Sequence, residues 1–163
     1  MADRVVVLGI DPGTITTGFG AVSFERGALS ALGWGSITTS SGTPLAERLG
    51  RIHAEVARRI DEFRPDEIAV EDVFQARNVK SALKLGHARG VALLAAAQAG
   101  LPIFEYAPRE IKKSVVGVGS ATKLQVSSMV RRLLELGDAE MKEDESDAVA
   151  VALCHLHKRG RLR

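Results

Sequence analysis

The sequence is short of several things, and each shortage narrows what the protein can be. It has a single cysteine, Cys154, which excludes an internal disulfide and suits a reducing cytosol. Its longest apolar run, Val91 to Leu101, contains Gln98 and is too short to span a bilayer. The opening Met1-Ala2-Asp3-Arg4 lacks a signal-peptide pattern, so a cytoplasmic protein without membrane association is expected. No internal repeat and no linker breaks the chain. Zinc ligation is also missing: His155 and His157 lie two apart on an expected helix and diverge, as packing or surface residues do.

What is present suits one soluble α/β domain. The chain has 163 residues, 45% of them hydrophobic and 26% charged, enough for one proper core and too few for two. Net charge is only +2, but it is unevenly spread. Residues 1–74 carry 7 Lys/Arg against 11 Asp/Glu, residues 75–132 carry 10 against 2, and residues 133–163 carry 5 against 7. A basic middle between acidic ends suggests a polyanionic partner, although solvated helix faces would give the same counts.

The hydrophobic pattern predicts Val5 to Ile10 as a buried strand closed by Asp11 and the turn pair Pro12-Gly13. A second strand follows over Thr16 to Phe24, a hairpin turn at Glu25-Arg26-Gly27, and a third strand over Ala28 to Thr39. Thr43 reads as an N-cap and Pro44 as the first helical residue. Leu45, Leu49, Ile52, Val56, Ile60 and Phe63 then mark one apolar helix face, with Arg48 among the charges expected on the solvated side. Ile68-Ala69-Val70 predicts a core strand parallel to the first. A helix is expected over Ser81 to Ala99, with Leu83, Val91, Leu94 and Ala95 toward the core, and a fifth strand over Leu101 to Tyr106. Three more helices are expected, over Pro108 to Ser114, Ala121 to Leu136 and Glu143 to His157, with a flexible turn at Gly117-Val118-Gly119. The domain should span residues 1–157 and end in a basic, mobile tail at 158–163.

Two acids stand in the same setting: Asp11 and Glu71 each follow a short apolar strand. If those strands are parallel neighbours, both carboxylates leave the sheet at one edge, where open α/β sheets place their sites. Asp144 and Asp147 stand three apart at a helix start and share a face. Each has a bland reading as well, Asp11 capping its own turn and the aspartate pair answering the helix dipole. Together the four could form one oxygen-rich pocket suited to Mg²⁺ or Mn²⁺, and a pair of such ions can cleave a phosphodiester.

At this point the residues resemble a family. Leu8-Gly9-Ile10-Asp11-Pro12-Gly13, Glu71-Asp72-Val73-Phe74, Ser81 to Gly86 with Ala88 to Val91, Phe104-Glu105-Tyr106, Val115 to Ser120 and Asp144 to Ala148 are similar, in order and spacing, to RuvC, the crossover junction endodeoxyribonucleases. The resemblance implies an RNase H-like fold with a five-stranded mixed sheet, three strands antiparallel and two parallel, flanked by helices. It implies a homodimer that nicks two strands of like polarity in a four-way DNA junction, leaving 5′-phosphate and 3′-hydroxyl ends, in recombination and repair. By position it implies Asp11, Glu71, Asp144 and Asp147 as catalytic metal ligands for Mg²⁺ or Mn²⁺, two ions per site; some members have histidine where this chain has Asp144. Phe74, Arg77, Lys112 and Lys123 match or neighbour the family's DNA contacts. RuvA and RuvB are implied as partners. A related nuclease acting on RNA is the nearest alternative. An actin-like nucleotide-binding protein, suggested by Asp11-Pro12-Gly13-Thr14, is disfavoured by length.

Overall fold

Strand β1 (Val5–Asp11) is the centre of the molecule. It pairs antiparallel with β2 (Thr16–Glu25), which pairs antiparallel with β3 (Ala28–Thr38), and it pairs parallel with β4 (Glu67–Glu71) on its other side. β4 in turn pairs parallel with β5 (Ile103–Tyr106), giving the strand order β3-β2-β1-β4-β5. The computed structural model describes residues 4–72 and 77–160. The two-residue turn Arg26-Gly27 has positive φ at both positions, the geometry that joins tightly paired, right-twisted strands. The mixed five-stranded sheet is therefore the one the pattern predicts.

Helices cover both faces. α1 (Leu45–Phe63) and α2 (Val79–Gln98) pack on one, against Leu8, Ile10, Phe19, Ile68 and Val70. α3 (Pro108–Val116), α4 (Lys123–Leu133) and α5 (Glu143–Lys158) pack on the other, against Val5, Val7, Val22, Phe24 and Ala69. Strand residues alternate between faces, so Asp11, two steps beyond Gly9, belongs to the α5 side, and so does Glu71, two steps beyond Ala69. Among the described residues no helix is long and apolar enough to cross a membrane.

α5 is buried from Glu145 to Leu156 almost without interruption, and it lies unusually close to the sheet. A Cβ on Gly9 would sit 2.1 Å from the Ala148 carbonyl oxygen, one on Gly18 2.0 Å from that of Asp144, and one on Gly20 2.3 Å from Val149 Cγ2. Gly9 pairs with Gly20, and Asp11 with Gly18. The three glycines thus form a trough in which the helix rests, and no other residue would permit that approach. At the far end of α5, Tyr106 Oη and His155 Nδ1 are 2.6 Å apart and His155 Nε2 and Glu67 Oε2 are 2.5 Å apart. Burial lowers the His155 pKa, and a carboxylate only accepts. The neutral ring therefore donates from Nε2 to Glu67 and accepts from Tyr106. Arg159 completes the chain at 2.8 Å from Glu67 Oε1.

Several elements differ from expectation. Helix α1 begins at Leu45, with Pro44 in the N-cap position and no side-chain cap. Arg48 is buried rather than solvated, with Nη1 3.5 Å from the Thr14 carbonyl oxygen, so it ties α1 to the turn after Asp11. On α2 the core side is Ala88, Ala92, Ala95 and Ala96, while Leu83 and Leu94 are 61% and 49% exposed. Alanines let that helix close on its neighbours, and the rotation turns the leucines outward. α4 starts at its Thr122 cap and stops at Leu133, short of Gly137, because the left-handed Glu135 breaks it first. Lys158 closes α5 and pairs with Glu110 of α3, and Arg159 is held by Glu67. Of the expected tail, residues 161–163 lie outside the described residues.

Candidate active site

Parallel pairing of β1 and β4 runs up to Ile10 against Val70, so Asp11 and Glu71 are the next residues of adjacent strands. Their carboxyl groups lie within hydrogen-bonding reach. Burial chiefly raises the Asp11 pKa, to about 9, with the Glu71 hydrogen bond, the Glu71 charge and the Asp144 charge adding to it and Lys123 opposing. Glu71 is also raised, mainly by burial. Two half-buried acids this close do not both ionise readily, so the pair tends to hold one proton between them.

The other acids arrive on α5. Asp147 shares a small pocket of about 220 Å³ with Asp11, Glu71, Lys112 and Lys123. Burial first, then the Asp11 charge, raises the Asp147 pKa to about 6. Lys123, at the first residue of α4, places Nζ 3.4 Å from Asp147 Oδ2 and also pairs with Glu143. The hydrogen bond to Glu143 is the main reason its pKa is raised. Asp144 is near enough to act on Asp11 through its charge, and its backbone rests on Gly18. Its side chain does not line the pocket. Glu145, beside it, is structural: it accepts from Lys142 N at 2.8 Å and from Ser36 Oγ at 3.0 Å.

A second lobe of about 530 Å³ opens from the same acids, and Asp11, Glu71, Pro108 and Lys112 line both. Arg109 and Gly119 line only this lobe. Of the residues singled out in the sequence, the structure therefore gathers Asp11, Glu71, Asp147, Lys112 and Lys123 at one cleft, with Asp144 alongside. Arg77 is exposed just before α2 and is not among the lining residues. Phe74 lies outside the described residues. Sequence reasoning missed the glycine trough, whose signal was isolated glycines inside apolar strands. It also missed Arg109, whose signal was its spacing of three from Lys112 on a helix.

Among the described residues no three His, Cys, Asp or Glu side chains are spaced to hold one metal ion. Asp147 is paired with Lys123 at 3.4 Å. The donor chemistry nevertheless fits a hard divalent cation. It is all oxygen, and burial and mutual repulsion leave its carboxylates in need of positive charge.

The family model for "Crossover junction endodeoxyribonuclease RuvC" matches residues 7–155. A protein of that name from Myxococcus xanthus is 54% identical over 153 residues, 93% of this chain and 80% of the relative. Another from Ruminiclostridium cellulolyticum is 44% identical over 160 residues, 97% of this chain and 96% of its own length. Among solved structures, Thermus thermophilus RuvC in complex with a Holliday junction substrate superposes with a TM-score of 0.89 at 39% identity, covering 97% of both chains.

Proposed function

The chain belongs to the RuvC family of crossover junction endodeoxyribonucleases, and from that premise we propose that it resolves four-way DNA junctions at the cleft around Asp11. The products are paired symmetric nicks in strands of like polarity, with 5′-phosphate and 3′-hydroxyl ends. One observation carries this reading: three carboxylates from two strand ends and a helix share a cleft with two lysines that can meet a phosphate.

The enzyme is metal-dependent, as the family is. Asp11, Glu71 and Asp147 would hold Mg²⁺ or Mn²⁺, two ions per site, with Asp144 beside Asp11 as a further oxygen donor. When bound, such ions stabilise charge building on the phosphate and ease ionisation of the attacking water. The chain's own residues prepare for this. Asp11 gives up its proton to bind a cation, so loading should release protons. Lys112 and Lys123 neutralise phosphate oxygens of the scissile strand. The trough under α5 keeps Asp147 at a fixed depth against Asp11. Phe74 and Arg77 are proposed as junction contacts on the resemblance alone.

Paired nicks need two sites. The outward face of α2 presents Val79, Leu83 and Leu94, exposed, with Gly86 and Gly90 open to space between them. Their three- and four-residue spacing makes one stripe, which we assign to a second copy of this chain. A cytoplasmic location, with RuvA and RuvB as partners, is proposed on the family resemblance alone.

The test uses a synthetic four-way junction and a matched linear duplex, each with Mg²⁺, Mn²⁺ or EDTA. Paired nicks should occur in the junction alone and only with metal. Asp11→Asn should lower the rate by at least about 100-fold while junction binding persists. Wild-type cleavage by that variant would refute the site.

A further inference from the structure

The basic side of the cleft does not end at the two lysines. Arg109 precedes Lys112 by three residues on α3, so the two share a helix face, with Cβ atoms about 5–6 Å apart. Lys123 lines the lobe that holds Asp147, Lys112 lines both lobes, and Arg109 lines the other. The three cations are therefore ordered across the acids, with Lys112 in the middle. Glu110, between Arg109 and Lys112 on α3, is turned away and paired with Lys158.

The position of Arg109 depends on a glycine opposite it. A Cβ on Gly119 would sit 2.6 Å from Arg109 Cγ, 3.0 Å from Nε and 3.2 Å from the Arg109 carbonyl oxygen. Gly117, two residues earlier, has φ 101° and ends α3 in the left-handed conformation, which accounts for glycine there. Gly119 has no positive φ, so backbone conformation does not call for glycine at that position. What calls for it is the arginine packed against it. Among the described residues no ion pair or side-chain hydrogen bond occupies the Arg109 guanidinium, which is exposed toward the cleft. The first turn of α3 adds to the field: Ala107 caps it without a side-chain bond, and both Ala107 and Pro108 line the same lobe. Pro108 carries no N–H, and those of Glu110 and Ile111 both donate to the Ala107 carbonyl oxygen, so this turn contributes its positive dipole end rather than a set of free donors.

A guanidinium keeps its charge at any working pH and can grip a phosphate with two hydrogen bonds. We propose that Arg109, given room by Gly119, binds the phosphate adjacent to the cleaved one and so extends the cation row Lys123–Lys112–Arg109 along the scissile strand. This rests on the nuclease reading of the cleft and assigns a further substrate-binding residue to it.

The experiment measures junction binding and single-turnover cleavage as functions of KCl for the full chain. Arg109→Ala should weaken junction binding roughly 10-fold and lower the salt slope by about one. It should raise the half-saturating junction concentration more than it slows the saturated rate, with an unchanged Tm. Arg109→Lys should recover part of the loss. Gly119→Ala should act in the same direction but add nothing in an Arg109→Ala background, because it works through the arginine. Arg51→Ala, on the exposed side of α1, serves as a charge control and should change nothing. Wild-type affinity and slope in Arg109→Ala would overturn the proposal, as would a loss confined to one junction sequence, since a phosphate contact reads no base. Those outcomes leave the nuclease site standing if Asp11→Asn is inactive. Cleavage by Asp11→Asn would remove the nuclease site itself, whatever Arg109→Ala did.

Discussion

At the scale of single residues, Asp11 is the group most at odds with its surroundings. Its pKa is about 9 in the fold, first because of burial and then because of Glu71 and Asp144; Asp147 sits at about 6 for similar reasons. Both lie above the ordinary value of 3.8, so the folded chain holds these protons longer than the unfolded chain does. Their linkage makes stability fall as pH rises from about 4, through about 6 for Asp147 and up to about 9 for Asp11. Asp11→Asn removes the larger part of that penalty. At pH 8 without divalent cations, the variant should melt about 2–4 °C above wild type, equivalent to roughly 1 kcal/mol at this chain length, and the gain should vanish near pH 4. Mg²⁺ should raise the wild-type Tm more at pH 8 than at pH 5.5, since it competes with the protons. A variant that melts below wild type at pH 8 would show that Asp11 stabilises the fold rather than straining it. The acid itself was legible, because a carboxylate after a core strand demands a partner. The shared proton was not, because it depends on the distance to Glu71.

At the scale of elements, the site is set by how α5 meets the sheet. Asp147 reaches Asp11 because Gly9, Gly18 and Gly20 remove the side chains that would hold the helix off. Along its length α5 is pinned at the other end by the Tyr106–His155–Glu67 chain, which fixes the helix against β4 and so fixes Asp147 against Glu71. Gly9→Ala should therefore act at a distance from the chemistry. Its methyl would meet the Ala148 carbonyl oxygen, a backbone atom that cannot step aside alone, so α5 must lift. The expected cost is about 1–3 kcal/mol of stability, read by urea or thermal unfolding, with slower cleavage at temperatures where the variant remains folded. Retention of wild-type Tm and rate would mean the helix tolerates a looser seat. The sequence pattern located α5 and its acids correctly. On α2 it placed Val91 and Ala95 correctly toward the core but also counted Leu83 and Leu94 there, which are exposed, because period alone favours leucine whereas close packing selects the alanines.

At the scale of the whole molecule, the uneven charge resolves into a geography. The basic middle supplies Lys112, Lys123 and Arg109 from α3 and α4, and the acidic ends supply Asp11, Glu71 and Asp147 from β1, β4 and α5. Opposite signs separated along the chain meet at one cleft, which lets a polyanion approach carboxylates that would otherwise repel it. The outward stripe of α2 belongs to this scale too. Leu83→Glu places a charge in the middle of that stripe, on a side chain already 61% exposed, so the monomer should keep its fold. Sedimentation should show a shift from dimer to monomer at micromolar concentration. Junctions should then be nicked on one strand rather than on two in concert. A dimer of unchanged stability would move the interface elsewhere.

The five strands and their mix of three antiparallel and two parallel, the two acids at strand ends, the pair of aspartates on a helix and the family itself were legible in the sequence alone. Each depends on local periodicity or on motif spacing, and both are written in the order of residues. Only the tertiary structure decided which side of α2 faces outward, that Arg48 is buried, that Glu145 is structural beside Asp144, and that Gly119 shapes Arg109. Those outcomes depend on distances between segments far apart in the chain, where close packing and desolvation act, and a one-dimensional pattern carries no record of them.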